Sequence, residues 1–233
     1  MRKKLRPPWA NISDLMAALM MVFLFISISY AFQVTKQTIQ LEKTNEKISN
    51  IIAQYSDDRA LIYNSLIEKF GPKLDEWKAT INKDTLTLRF NDPALLFETG
   101  SSKLTPRFSL ILEEFWSDYV MILSKYSGSI REVKIEGHTS SEWLNASSLE
   151  ESYFNNMKLS QERTRSTLRR CYDLTPSSYL GWVRSSVTAN GMSFSRPAMD
   201  KNGKEDKDMS RRVEFTIVVD SKSKLDQIRG ELK

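Results

Sequence analysis

Leu15–Phe32 reads LMAALMMVFLFISISYAF, eighteen residues without a charge. At about 1.5 Å of rise per residue, a helix of that length spans about 27 Å, close to the hydrocarbon thickness of a bilayer. Extending it back through Ile12, Ser13 and Asp14 gives a segment of 21 residues, 12–32. A basic cluster of Arg2, Lys3, Lys4 and Arg6 precedes it, and basic residues stay on the cytoplasmic side. The pattern predicts a cytoplasmic N-terminus over 1–11, one transmembrane helix over 12–32, and everything after it on the far side. Trp9 and Tyr30 stand at the two ends, where amphipathic rings favour the interface. Pro7 and Pro8 fit an extended approach to the helix, and Ser13 or Asn11 offers a cap. The alternative is a cleaved signal peptide, with Ser29-Tyr30-Ala31 as a small-x-small site. The apolar run exceeds the ~7–15 residues of such a leader, and it begins with an acid.

That acid, Asp14, is the first candidate functional residue. A carboxylate in a lipid-facing helix costs about 2.5–3.5 kcal/mol at mid-bilayer and less near the ends, so one kept there usually faces a partner or a water-filled path. The alternative is an N-cap in the headgroup zone. Ala17 and Ala18 share the face of Asp14, and small side chains allow close helix packing. One helix cannot enclose a channel, so an ion-carrying Asp14 requires helices from a second protein.

Residues 33–70 are polar, helix-prone and free of proline and glycine. Apolar or aromatic residues recur every seven positions at Val34, Leu41, Ile48, Tyr55 and Ile62. The complementary seam is poor, with Gln37, Thr44, Asp58 and Ser65 against Ile51. This suits a helical spacer, either a parallel dimer or a lone amphipathic helix leaning on the next domain. A continuous helix here would hold that domain about 55 Å from the membrane surface. Gly71-Pro72 ends the helix, and Lys73–Ile81 reads as a short helix or linker. The stalk and linker together occupy 33–83.

Residues 84–220 alternate between strand and helix patterns, followed by a tail over 221–233. Strands are predicted at Thr85–Phe90, Glu132–Glu136, Ser185–Asn190 and Arg212–Val219, and helices at Leu104–Ser124 and Met157–Leu174. The expectation is an α+β fold, a βαβαββ sandwich of one sheet under two helices. Phe108, Ile111, Leu112, Phe115, Trp116 and Tyr119 form the core face of the first helix.

Five blocks of this region resemble OmpA-like domains. They are Phe97-Glu98-Thr99-Gly100-Ser101 with Leu104; Gly137-His138-Thr139 after a strand; Asn156-x-x-Leu159-Ser160-x-x-Arg163; Gly191 with Arg196-Pro197; and Arg211-Arg212-Val213-Glu214. They come in the family's order over about 120 residues. The membrane segment in turn resembles that of MotB-type stator proteins, and the combination resembles MotB and, among its relatives, the ZorB subunits of Zorya anti-phage systems. The resemblance implies peptidoglycan binding, with an acid and an arginine holding the diaminopimelate end of a stem peptide. Arg163 matches that arginine, Asn156 and Leu159 match pocket residues, Ser160 could cap or add a hydrogen bond, and Arg211 is a secondary candidate. The family's aspartate after Gly-His-Thr is Ser140 here, with Glu142 or Glu150 as possible substitutes. The segment between Thr139 and Asn156 is also longer than usual, and the asparagine before the arginine pair is Ser210.

The resemblance further implies an inner-membrane stator-type subunit. It would form a H⁺ or Na⁺ pathway with a MotA- or ZorA-like multi-span partner, act as a homodimer, and power phage defence. The alternatives are flagellar propulsion, a passive tether between membrane and wall, and a secreted wall-binding protein. Composition narrows the rest. One cysteine, Cys171, allows no intrachain disulfide. One histidine, His138, leaves no catalytic pair and little for a metal site, and its place at a strand end suggests a hydrogen bond to backbone. No enzyme activity, metal or cofactor is expected. The net charge of +5 lacks a basic stripe interleaved with aromatics, so no nucleic acid is expected either.

Overall fold

The computed structural model describes residues 8–98 and 100–220. The cluster Arg2–Arg6, Thr99 and the tail from 221 lie outside the described residues, as do the side chains of Trp9, Asn11, Ile51 and Tyr55. The chain forms two compact units that part between Ala53 and Gln54.

The first unit is the N-terminal part of helix α1, Pro8–Phe70. Proline suits the first turn of a helix, where its missing N–H would have no partner anyway. This start places Asn11 and Ser13 inside the helix, correcting their assignment as caps. It also removes the N-cap reading of Asp14, which lies in the second turn. From Ile12 onward the helix is long and apolar enough to cross a bilayer. Leu15, Leu19, Phe23 and Phe25 are exposed in the isolated chain, as expected of a segment that is apolar all round. The hydroxyls of Ser27, Thr35, Thr38 and Thr44 donate to the carbonyls of Phe23, Ala31, Val34 and Gln40, four residues back. Such bonds satisfy polar side chains within the helix itself.

The second unit is a five-stranded sheet in the order β1-β2-β5-β3-β4. The strands are β1 (Ala79–Asn82), β2 (Thr87–Phe90), β3 (Ile130–His138), β4 (Val187–Gly191) and β5 (Arg212–Val219). Neighbours are antiparallel except β3 and β4. That parallel pair needs a long crossover, supplied by α4 (Leu149–Asp173) and α5 (Leu180–Ser186). Helix α3 (Pro106–Ser124) joins β2 to β3, and two short helices, α2 (Pro93–Leu96) and α6 (Lys207–Ser210), border the sheet. The expected α+β class is found, with one strand more than the sequence pattern predicts. Lys73–Ile81, read as a helix or linker, follows a 3₁₀ turn at Gly71–Lys73 and runs into β1. Its four-residue strand is too short to show alternation.

The core lies on one face of the sheet. Val213, Phe215, Ile217 and Val219 alternate inward along β5 and meet Phe108, Phe115, Trp116 and Tyr119 of α3. Phe115 is the hub: its ring centroid lies 4.6 Å from Tyr119, 5.2 Å from Phe70 and 5.2 Å from Phe215. The Trp116 indole N–H donates to Thr175 Oγ1 at 2.8 Å. Helix α3 is fixed at its start by Thr105, which accepts the Phe108 N–H at 3.0 Å, with Pro106 in the first turn.

The core extends N-terminal of residue 84. Ile62, Leu66 and Phe70 of α1 are buried in it, with Trp77 and Ala79. Ile62, the last of the heptad series, therefore faces this domain. Of the two stalk readings, the helix that leans on the next domain holds for these final turns. Cys171 is buried in the same core, and burial pushes its thiol well above the ordinary range.

Helix α4 starts at Leu149, two turns before the predicted Met157, and is capped by Ser148 Oγ accepting the Glu151 N–H at 3.1 Å. Helix α4 lies against β3 and β4 at two glycines. A Cβ on Gly191 would sit 2.5 Å from Gln161 N, and one on Gly137 would sit 3.0 Å from Ser160 O. Only a hydrogen in place of Cβ permits that approach, which fixes the part of α4 that carries Arg163.

Candidate functional site

A cleft of about 730 Å³ opens where β3 ends and β5 begins. Its walls come from Asn91–Ala94, Phe97 and Gly100, Gly137 and His138 of β3, Arg163 of α4, and Asp208, Arg211 and Arg212. Each wall has a local cause. Asp92 Oδ1 accepts the N–H groups of Ala94 and Leu95, and Pro93 starts α2, so the loop after β2 turns sharply. Phe97 bridges to Leu104, closing the next turn. Asp206 Oδ1 accepts the N–H groups of Asp208 and Met209, which sets α6 and the Arg211 that follows it.

Arg163 is the central group. Its Nε donates to the Ser101 carbonyl at 2.9 Å, and its guanidinium lies 4.8 Å from the centroid of the Phe97 ring. Stacking and one hydrogen bond hold the plane of the group. Among the described residues no carboxylate lies within 4.0 Å of it. Burial, and then the charge of Arg211, push its pKa down to about 10. It remains charged at neutral pH, and an anion would relieve both effects.

Arg211, the secondary candidate, lines the same cleft. It pairs with Asp208, lies 3.4 Å from Ser140 Oγ, and reaches Glu142 at 3.9 Å. The other sequence candidates sit elsewhere. Asn156 is buried, and its Nδ2 donates to the Glu142 carbonyl at 3.2 Å and to Ser152 Oγ at 3.4 Å. Ser160 is also buried, with Oγ donating to the Met157 carbonyl at 2.9 Å and accepting the Ser193 N–H at 3.1 Å. Leu159 is half-buried and does not line the cleft. The assignment of Ser160 to a helix N-terminus is corrected by the earlier start of α4, which places 156–160 in mid-helix. Asn156 and Ser160 hold neighbouring loops in place. Of the proposed substitutes for the missing aspartate, Glu142 pairs with Lys207 and Glu150 is exposed in the first turn of α4.

Sequence reasoning missed the roles of Phe97, Ser101 and Asp208. The first two lie in the quoted Phe97–Ser101 block, but a stacking ring and a carbonyl acceptor leave no pattern of their own. His138 also differs from its reading. It is buried, neither ring nitrogen makes a hydrogen bond, and Nε2 lies 3.5 Å from Glu214.

Glu214 anchors the outer face of the sheet beneath the cleft. Its Oε1 lies 2.6 Å from Arg212 Nε and 2.7 Å from Arg89 Nε. Burial acts to raise its pKa, but His138 and Arg212 overcome this and hold it at about 2. Because the folded pKa is lowered, the stabilisation is complete above the unfolded pKa near 4.5 and is lost as pH falls towards 2. Between pH 5 and pH 2 the wild type should lose about 3 kcal/mol that a Glu214→Gln variant does not lose. Urea unfolding of both across that window measures the difference; parallel pH profiles would refute it.

No family model matches the sequence. The Zorya protein ZorB of Escherichia coli strain Crooks is 43% identical over 224 residues, covering 96% of this chain and 92% of that protein. Among solved structures, a MotB-like protein from Desulfovibrio vulgaris aligns with a TM-score of 0.53 at 19% identity, over 72% of this chain and 98% of that one. The cell-wall anchor of the type VI secretion system from Pseudomonas aeruginosa aligns with a TM-score of 0.46 at 19% identity, over 66% and 97%. The MotB-like structure shares the fold, and the ZorB match runs through membrane helix, stalk and cleft alike. With that identity spread over nearly the full length of both chains, the protein belongs to the ZorB family of Zorya proteins.

Proposed function

We propose that this chain is the wall-anchored, ion-conducting subunit of a stator-type complex in the inner membrane, and that the complex powers defence against phage. The N-terminus lies in the cytoplasm and the cleft-bearing domain in the periplasm, with residues 12–32 spanning the bilayer and the polar turns of α1 from residue 33 up to the domain core at Ile62 as the stalk. Asp14 carries H⁺ or Na⁺ along a path completed by a MotA- or ZorA-like multi-span partner. A homodimer is supported by exposed Val34, Leu41 and Ile48, one heptad apart on α1. The wall-binding residues are Arg163 and Arg211. Asn156, Leu159 and Ser160 act behind them by positioning α4 and its neighbouring loops.

One observation carries the anchoring role. Arg163 is a half-buried, oriented guanidinium without a carboxylate partner among the described residues, set in an open cleft. A planar fork of donors held this way matches a carboxylate through two parallel bonds, and peptidoglycan stem peptides end in carboxylates. In the test, the full chain in nanodiscs is sedimented with purified sacculi. Arg163→Ala should weaken binding more than about tenfold, the scale of losing a charge-assisted bidentate pair. Arg163→Lys should recover little of it, because an ammonium cannot form the fork. Equal sedimentation of wild type and Arg163→Ala would overturn the anchoring role.

A further inference from the structure

The charges around the cleft differ in whether they are already engaged. Arg212 donates from Nε to Glu214 and from its Nη atoms to the carbonyls of Ser210 and Arg196. Arg211 is paired with Asp208, and that pairing engages the Asp208 carboxylate too. Asp92, the other carboxylate lining the cleft, is turned to the backbone N–H groups of α2. Glu142 lies outside the lining and is paired with Lys207. Ser140, 3.4 Å from Arg211, offers a hydroxyl and no charge. Lys78 adds a further cation to the wall. Among the described residues, the cleft therefore has one half-buried guanidinium, that of Arg163, ready for an anion and no unengaged carboxylate ready for a cation.

We infer that the cleft takes a bare peptide carboxylate and discriminates against a zwitterionic amino-acid end, with Ser140 as the residue that sets this preference. The inference rests on the wall-binding reading and specifies which end of the stem peptide is bound. A terminal carboxylate that carries no neighbouring ammonium meets Arg163 without opposition. An ammonium beside the carboxylate would be desolvated among Arg163, Arg211 and Lys78 with no acid to receive it, and like charges brought together disfavour a ligand strongly. Releasing Asp208 for that ammonium would break its ion pair and leave Arg211 with only Glu142, at 3.9 Å.

The test is calorimetric titration of the full chain in nanodiscs with two synthetic N-acetylated peptides. One ends in D-alanine with its lysine side chain acetylated, so its only charged terminus is a carboxylate. The other ends in meso-diaminopimelate with its main-chain carboxyl amidated, so that its charged terminus is the side-chain end, which carries both an ammonium and a carboxylate. The wild type should bind the first at least about tenfold more tightly, and Ser140→Asp should shift the ratio towards the second. Sacculi that bind while the wild type prefers the diaminopimelate peptide would overturn this inference and leave the anchoring role standing. Failure of the wild type to bind sacculi or either peptide would overturn both. The wild-type ratio decides the matter even if the buried position of Ser140 prevents the aspartate variant from folding.

Discussion

Asp14→Asn is expected to abolish protection against phage, bringing cells to the level of those lacking the subunit. Asparagine has nearly the shape of aspartate, so helix α1 and its packing should survive. It cannot alternate between a charged form and a protonated or ion-bound form, and that alternation is what an ion carrier needs. The residue lies inside the helix in the second turn, next to a stretch that would be costly for a charge unless protein or water receives it. Phage plating on cells that also carry the partner subunit gives the readout. Membrane fractionation and sacculus sedimentation should show the variant inserted and anchored as before. Full protection by Asp14→Asn would end the ion-carrier role and leave a passive tether.

Phe115→Ala should cost the sheet domain about 4 kcal/mol, the scale of deleting a large aromatic from a packed core. Its ring contacts Phe70 of α1, Phe90 of β2, Tyr119 of α3 and Phe215 of β5. It therefore joins helix to sheet, and the sheet to the end of the stalk. The hole it would leave is walled by other rigid rings, which cannot collapse into it easily. Denaturant unfolding, followed by tryptophan fluorescence from Trp77 and Trp116, reads the loss. A cost below about 1.5 kcal/mol, the range of a tolerated core swap, would show that the ring is not the hub that its geometry suggests.

Much of this fold was legible because its signals are long. Eighteen uncharged residues mark the membrane helix, and the 3.6-residue spacing of Phe108, Ile111, Leu112 and Phe115 marks α3. Arg212–Ile217 alternates because one face of β5 meets the helices and the other carries Arg212, Glu214 and Thr216. What escaped was short or non-periodic. β1 has four residues. The first turns of α4 contain Glu150, Glu151 and exposed Phe154, so they show no apolar stripe even though Ser148 caps them. In the cleft, Arg163 and Arg211 were readable from motif blocks. Asn156 and Ser160 belong to the same block but face inward, because a motif records residues needed for folding and for binding alike. The pairing of Asp208 with Arg211 was not readable, since it depends on a one-turn helix that no periodicity announces.

Cys171, shut inside the domain with its thiol held protonated, makes the natural chain silent to maleimide reagents in its folded state. A single cysteine placed at an exposed stalk position such as Leu41 or Ile48 would then react alone, with no background thiol to remove first. Crosslinking between subunits, spin-label distances and accessibility from either side of the membrane can all be read in an otherwise native protein.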